Sequence, residues 1–444
     1  MELMLEPVRE ESLAVLPKDP FLLFRKGVAQ LALRFVLVYL FLESWVWLDE
    51  LAVNVSRPVR PVFNAIFGGL ARWMGRHVFH VSGPLEPKSL HDSLYMYLLL
   101  LSVGVISAVF AIIWLAADFQ GRTVRRAYDL LRVWVRYSLA YMVMIYALDK
   151  VFRIQFVFPG PLRLIESYGE SSPMALMWTF IGYSGFFTVF SGVVEVAGSV
   201  LLFFRRTVPM GALILTVLMA NVALMDFCYD VSVKMLALHF LILSVFLLAH
   251  DTTRLLNVLA FNRPAEAEES DSLLRPTASL GVRRLVLAVK ILIVFYAVVP
   301  GPIRTYQAFR TMGPYAPRPP LYGLYEVASF KTNGVERPLL ITDHNLWHYI
   351  VIENGSQVFV KTMDNSVLTY QAKYDPKKHC IEMHRSDAGA PPESLLMSAN
   401  AGGVSVIGES GKDEEAVTLR SIDLSQFPLV NRGFHWVNGK SYWK

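Results

Sequence analysis

Seven stretches of mostly apolar residues follow one another along the first 300 residues of the chain. They are Gly27–Trp47, Leu94–Ala117, Leu131–Leu148, Phe186–Phe204, Met210–Met225, Val233–Ala249 and Leu285–Val299. Most are close to the roughly 20 residues that an α-helix needs to cross about 30 Å of hydrocarbon. Because the backbone must satisfy its own hydrogen bonds in lipid, helix is the expected structure. The pattern predicts about seven membrane-spanning helices, with a large soluble helical core as the alternative.

The pattern changes after Leu321, where short runs of aromatic and β-branched residues alternate with turn signals. Tyr349–Glu353 is followed by Asn354 and Gly355, a strong hairpin signal, and then by Gln357–Thr362. Further runs are Val367–Tyr374, His379–His384, Leu395–Ser398, Val404–Ile407 and Val417–Ile422. The even spacing predicts an antiparallel barrel or sandwich of about eight strands. Such a barrel either encloses one small ligand or is filled by its own side chains, and both alternatives stay open.

Composition agrees with a membrane protein. Of the 444 residues, 54% are hydrophobic and only 18% are charged, and the net charge is +5. A disordered chain and a nucleic-acid-binding chain both need denser charge, so these classes are excluded. Two cysteines, Cys228 and Cys380, are too few for a disulfide framework.

Basic residues near the ends of the apolar stretches predict the orientation. Arg25 and Lys26 precede the first stretch. The loops after the second, fourth and sixth stretches are also rich in arginine. This alternation predicts a multi-pass protein of the bacterial inner (plasma) membrane, with a cytoplasmic N-terminus and an extracytoplasmic β domain. The loop 51–93 is an exception, because it carries arginines on the predicted outer side. Its segment 61–81 is amphipathic enough to lie in the interface, and if it crosses instead, the β domain changes sides.

Ionisable residues within or beside the apolar stretches are the best functional clue, because a charge in the bilayer is costly. Glu195 lies at the centre of the fourth stretch, where it either locks helices together or carries a proton or anchors a ligand.

The other candidates flank the predicted outer ends of the helices. They are Asp149, Lys150, Asp226, Asp230, Lys234 and, about one and a half turns deeper, His239. If the chain between them is helical, Asp226, Asp230 and Lys234 share one helix face. The segment Ser172–Tyr183, which contains Trp178, is too short to cross and is expected to lie over the opening. These positions suggest an outward-facing polar pocket with Glu195 at its base, and ordinary interfacial charge is the alternative.

Other chemistries have little support. His77, His80, His91, His344 and His348 lack carboxylates at a ligand spacing, so no metal site is expected. Neither a G-x-S-x-G nucleophile motif nor a nucleotide-binding glycine loop occurs at a suitable place.

Several short segments in the middle and at the end of the chain form a recognisable set. They are Arg136, Leu148–Phe152, Tyr168–Met174, Trp178–Phe180, Val189–Glu195, Arg205–Thr207, Gly211, Asn221, Phe227–Val231, Val233, Lys234, His239 and the closing Leu429–Trp436. Together they resemble the DoxX-like family of small four-helix membrane proteins, in a long subtype that ends in a β domain. The family takes its name from a subunit of a thiosulfate:quinone oxidoreductase, so the resemblance implies a four-helix bundle and a link to quinones.

These observations divide the chain into four parts. They are a two-span segment with an interfacial loop (1–130), a DoxX-like four-helix membrane domain (131–262), a cytoplasmic linker with the seventh span and a connector (263–320), and the β domain (321–444).

Three functions remain open. In the first, the helix bundle binds a lipid-like or quinone-like molecule in its polar pocket and the β domain covers it. In the second, the chain is a membrane subunit of a quinone-linked oxidoreductase, with quinone as its cofactor. In the third, it is an assembly or cargo scaffold whose β domain binds a protein partner. A non-enzymatic or accessory role is favoured, and any enzymatic activity is expected to be that of a quinone-linked oxidoreductase component. The expected partners are the lipid bilayer, a hydrophobic small molecule or a protein, but not nucleic acid.

Overall fold

The structure is a computed structural model. It describes residues 20–51, 60–85, 91–264, 299–344, 346–385, 393–400, 403–410 and 413–438, with scattered positions in 280–298. The chain forms two compact units. The first, termed the helical unit, comprises Met1–Leu148 and Ser191–Ile303. The second, termed the barrel unit, comprises Asp149–Phe190 and Arg304–Lys444.

Helices account for most of the first 312 residues. In chain order they are α1 (Pro20–Leu51), α2 (Arg60–Phe63), a π-helical segment (Asn64–Gly68), α3 (Gly69–His77), α4 (Leu94–Ala117), α5 (Val124–Val151), α6 (Pro161–Leu164), α7 (Pro173–Tyr183), α8 (Gly185–Phe203), α9 (Val208–Cys228), α10 (Lys234–His250), α11 (Thr252–Leu259) and α12 (Pro300–Met312). Short 3₁₀ turns lie at Tyr168–Glu170 and Arg205–Thr207.

Four of the described helical segments are long and apolar enough to cross a membrane. They are Gly27–Leu48, Leu94–Ala117, Gly185–Phe203 and Arg205–Cys228. The pair α10 and α11, bent by 74°, makes a fifth if it is one broken span. These segments coincide with predicted stretches one, two, four, five and six. α5 covers the third predicted stretch but carries Arg132 and Arg136 there and is not among the candidates. The seventh, Leu285–Val299, lies largely outside the described residues.

The helices of the helical unit pack on one another through apolar faces and small residues. α1 packs on α4, and α9 packs on α10. Gly198 of α8 and Gly211 of α9 lie at a close crossing. A Cβ on Gly211 would come within 2.9 Å of the Gly198 carbonyl oxygen. Small residues at such crossings let two apolar helices approach closely enough for backbone contact.

The C-terminal strands form a closed antiparallel barrel, which confirms the prediction of about eight strands. They are β1 (Gly323–Thr332), β2 (Val335–Arg337), β3 (Trp347–Ile352), β4 (Gln357–Thr362), β5 (Val367–Asp375), β6 (Cys380–Arg385), β7 (Glu393–Asn400), β8 (Gly403–Ser410) and β9 (Asp413–Ile422). From β3 to β9 each strand pairs with the next, and β1 pairs with β9 to close the ring. On its other edge β1 pairs first with β3 and then with the short β2. Eight strands therefore form the barrel, and β2 extends one side. The helix α13 (Pro428–Asn431) follows the last strand.

Side chains fill the barrel interior. Phe330, Trp347 and Tyr370 stack edge to face across the core, at ring-centroid distances of 5.8 and 6.0 Å. Val358, Val360, Met383, Met397 and Val406 are fully buried around them. Because these aromatic and aliphatic side chains occupy the core, the described barrel is, of the two alternatives, the filled one.

We expect Phe330→Ala to destabilise the barrel by roughly 3–5 kcal/mol, because it removes a fully buried ring from a packed core. The measurement is chemical unfolding of the purified chain. The unfolded fraction is monitored by the extent of protease cleavage within the barrel. The matched control is Val335→Ala, since Val335 of β2 is 70% exposed and its loss should change stability by less than about 0.5 kcal/mol. Equal effects of the two substitutions would show that the interior is not the filled core described here.

Candidate functional site

The candidate residues from the sequence are divided between the two units. Asp149, Lys150 and Trp178 belong to the barrel unit. Glu195, Asp226, Asp230, Lys234 and His239 belong to the helical unit.

Asp226, Asp230 and Lys234 do not share one helix face, because the chain between them is not one helix. α9 ends at Cys228, Asp230 has a positive φ of 52° in the turn, and α10 begins at Lys234. The turn nevertheless brings Asp230 and Lys234 together, with 2.8 Å between Nζ and Oδ1. Asp226 is buried near the end of α9.

Asp92 caps the start of α10. Its carboxylate accepts hydrogen bonds from the backbone N–H groups of Lys234, at 2.7 Å, and Met235, at 3.2 Å. These N–H groups lack partners within the helix, and an acid at a helix N-terminus also interacts favourably with the helix dipole. The charges around this turn thus have a structural role in holding α10.

His239 meets an acid that sequence analysis did not single out. Its Nδ1 lies 3.2 Å from Oε1 of Glu43, which lies in the first apolar stretch on α1. His239 is 0% exposed and Glu43 is 5% exposed. Two ionisable groups from different apolar helices therefore form one buried pair. The signal was present in the sequence, since Glu43 is the only acid between Gly27 and Trp47.

Trp47 completes a cluster with this pair, termed the Glu43 cluster (Glu43, Trp47 and His239). Trp47 lies one helical turn after Glu43, is fully buried, and places its ring 6.0 Å from the His239 ring. Glu43 Oε2, Trp47 Nε1 and both ring nitrogens of His239 have no hydrogen-bond partner among the described residues, since the 3.2 Å approach of Nδ1 to Glu43 is an ion-pair contact without hydrogen-bond geometry. A buried polar atom without a partner costs about 1–3 kcal/mol, so four in one cluster make it a candidate for binding a polar group.

The remaining candidates from the sequence lie on α5, α7 and α8. Glu195 is buried in the middle of α8. Asp149 accepts a 3.3 Å hydrogen bond from the Thr305 hydroxyl. Trp178 of α7 packs on Phe156, with ring centroids 4.9 Å apart. Lys150 is buried at the end of α5.

Two arginines inside the helical unit, neither of them a site candidate from the sequence, are hydrogen-bonded to backbone carbonyl oxygens. Arg34 of α1 is fully buried and donates to the Asp118 carbonyl oxygen at 2.5 Å. Arg136 of α5 donates to the Leu202 and Phe203 carbonyl oxygens at the end of α8. Cations at such carbonyls satisfy groups that the helix leaves unpaired and interact favourably with its dipole. Both arginines therefore act as structural ties.

In the barrel unit, two charged side chains hold the short helix α6 at its two ends. Glu353, just after β3, accepts a 2.7 Å hydrogen bond from the Leu162 N–H at the start of α6. Lys361 of β4, which is buried, donates to the Ile165 carbonyl oxygen at its end, at 2.9 Å. The acid accepts from an N–H group, and the base donates to a carbonyl oxygen, that this one-turn helix leaves without internal partners. Burial raises the pKa of Glu353, and the Leu162 N–H partly opposes that rise.

The described residues contain no group of three or more histidine, cysteine or acidic side chains placed to hold a metal. His344 lies 3.6 Å from Asp364, and His348 stacks on Tyr349 in β3.

Comparison with known proteins gives one informative relative. Over 132 residues the chain is 31% identical to the uncharacterized protein YwoB of Bacillus subtilis (strain 168). The match covers 78% of YwoB and 28% of this chain. The chain belongs to the YwoB family. No family model matches the sequence, and no solved structure matches it. The YwoB relationship assigns no activity, and most of this YwoB-family chain lies beyond the matched residues.

We expect Glu353→Gln to flatten the pH dependence of stability of the barrel unit in this YwoB-family chain. An acid whose pKa is raised on folding holds its proton more tightly in the folded state. Its stabilising contribution is present below the ordinary pKa of 4.5 and is lost as the pH rises through the folded-state value. Glutamine keeps the acceptor for the Leu162 N–H but does not titrate.

The measurement is the midpoint of thermal unfolding of the full chain between about pH 4 and pH 8. The parent should lose stability with rising pH relative to Glu353→Gln, whereas Glu336→Gln, an exposed substitution in β2, should follow the parent. If both variants follow the parent, Glu353 does not titrate across this range.

Proposed function

We propose that this protein is an integral membrane protein that binds the polar head of a hydrophobic molecule, of the lipid-like or quinone-like class, at the Glu43 cluster. The proposal includes about seven spans, a bacterial inner membrane location, a cytoplasmic N-terminus and an extracytoplasmic β domain. The resemblance to DoxX-like proteins supports the quinone-like class.

The unsatisfied atoms of the Glu43 cluster carry the proposal. Glu43 Oε2 accepts, Trp47 Nε1 donates, and His239 Nε2 does either, depending on its tautomer. A quinone or lipid head group with carbonyl and hydroxyl groups offers the complementary set. The surrounding helices are apolar enough to contact a hydrocarbon chain.

The Glu43–His239 pair also suits proton handling. An imidazole and a carboxylate can each take up or release a proton, and here the two side chains approach within 3.2 Å of each other. A quinone takes up protons as it is reduced, so such a pair supports the alternative of a quinone-linked oxidoreductase subunit as well.

The barrel supports a different alternative, an assembly or cargo scaffold. Its core is filled, so a binding role would have to use its outside. The residues after α13 expose Phe434 and Trp436, which pack edge to face at 5.1 Å. Co-purification of one stoichiometric protein that is lost when both aromatics become alanine would favour the scaffold.

We expect Glu43→Gln and His239→Gln each to weaken ligand binding by roughly 10–100-fold, the loss of one hydrogen bond to a charged group. The probes are a short-chain benzoquinone, a short-chain naphthoquinone and a lysophospholipid, titrated onto the purified chain in lipid nanodiscs. Binding is read by equilibrium dialysis, and thermal unfolding confirms that each variant folds.

Ser44→Ala is the matched control. Ser44 is the neighbour of Glu43, is fully buried, and accepts a hydrogen bond from Trp134 Nε1 instead. Its loss should leave binding unchanged. A parent protein that binds none of the three probes with a Kd below about 100 μM would overturn the proposal, as would an equal loss in the control.

The proposed orientation predicts labelling of the C-terminal region from outside the cell. In a Cys228→Ser background, a cysteine at exposed position His435 should react with a membrane-impermeant maleimide on intact spheroplasts. A cysteine at exposed Arg206 should react only after the membrane is permeabilised. The reverse pattern would place the barrel in the cytoplasm.

A further inference from the structure

The segment 60–77 forms a helix with two different apolar faces. α2, the π-helical segment and α3 run without a break from Arg60 to His77, a length of about 27 Å. Phe63, Phe67, Ala71 and Met74 are buried, and the segment packs on α4. This first face fastens the segment to the helical unit.

The second apolar face is exposed. Val62 is 60% exposed, Ile66 is 52% exposed and Trp73 is 54% exposed. Their spacings of four and seven residues place them on one side of the helix. Val78 and Phe79, just beyond the helix end, are also more than half exposed. Exposure of these apolar side chains to water is unfavourable. Exposed aromatic and branched residues on one helix face are typical of helices at a membrane interface.

Basic side chains accompany the exposed face. Arg72 and Arg76, four residues apart, lie on the same side of the helix, and Arg76 and His77 are exposed. Between Arg57 and Val81 the sequence contains four arginines, two histidines and no acidic residue. The Trp73 ring packs against His77, with centroids 5.6 Å apart. The charge of this segment is therefore of one sign, which complements an anionic surface.

We propose that the segment 60–77 lies in the membrane plane and binds anionic phospholipid head groups. Val62, Ile66 and Trp73 enter the boundary of the acyl chains, while the long Arg72 and Arg76 side chains reach outward to lipid phosphates. This inference rests on the membrane location proposed above but not on the ligand site at the Glu43 cluster. Failure of ligand binding at that cluster would therefore leave the inference about the segment 60–77 unaffected.

The first test measures depth. A nitroxide is attached at Ile66→Cys or, as a water-facing reference, at Lys377→Cys, in a Cys228→Ser background of the full chain in liposomes. Relaxation by oxygen should dominate at position 66, and relaxation by a water-soluble nickel chelate should dominate at position 377. A label at position 66 that is as accessible to nickel as the reference would overturn the proposal. A label at position 66 with the depth of a bilayer midpoint would also overturn it, because the segment would then cross.

The second test measures lipid preference. The full chain is purified from mixed phosphatidylcholine and phosphatidylglycerol, and the bound lipids are counted by native mass spectrometry. Arg72→Gln with Arg76→Gln should lower the preference for phosphatidylglycerol on the order of 30-fold, and high salt should lower it in the parent.

Two controls accompany this measurement. Arg72→Lys with Arg76→Lys keeps the charge and should keep the preference. Lys377→Gln with Lys378→Gln removes two exposed charges from a turn of the barrel and should also leave the preference unchanged. A preference that is the same in the glutamine double variant and the parent, or that falls equally in the barrel control, would overturn the proposal.

Discussion

Polar and charged groups buried among apolar helices must find partners within the protein, and this constraint organises the helical unit. Arg34 and Arg136 each lie within a mostly apolar helix, and each donates to backbone carbonyl oxygens in a different part of the chain. Asp92 does the converse at the start of α10, where it accepts from two N–H groups. The apolar helices of this unit are thus tied to one another at defined points by hydrogen bonds to backbone groups.

The Glu43 cluster is the place where this constraint is only partly met. Its acid and imidazole contact one another, yet each keeps an unsatisfied atom, and so does the adjacent Trp47. A purely structural lock between α1 and α10 would be more stable with all atoms paired or with apolar side chains in their place. Buried polar atoms without partners require an explanation, and in the function proposed above the polar head of a ligand supplies it.

In the barrel unit, closure of the sheet gives backbone polar groups their hydrogen-bond partners. Pairing of β1 with β9 removes free strand edges, and the interior is occupied by rings and methionines. Glu353 and Lys361 hold α6 to the barrel. Glu353 accepts from the Leu162 N–H, and Lys361 donates to the Ile165 carbonyl oxygen. The described barrel is therefore a closed domain whose core is occupied by its own side chains.

The sequence by itself determined the apolar helices, the antiparallel β domain and the amphipathic segment 60–77, because these follow from local periodicity and length. It also predicted the hairpin at Asn354, although the loop is longer than two residues: β3 ends at Ile352 and β4 begins at Gln357.

The single-face arrangement of Asp226, Asp230 and Lys234 was wrong, since a turn at Asp230 interrupts the helix. Only the tertiary structure decided that His239 meets Glu43, that Arg136 caps α8, and that the barrel is filled. Such contacts join residues far apart in the chain, and no local pattern encodes which buried groups share a neighbour.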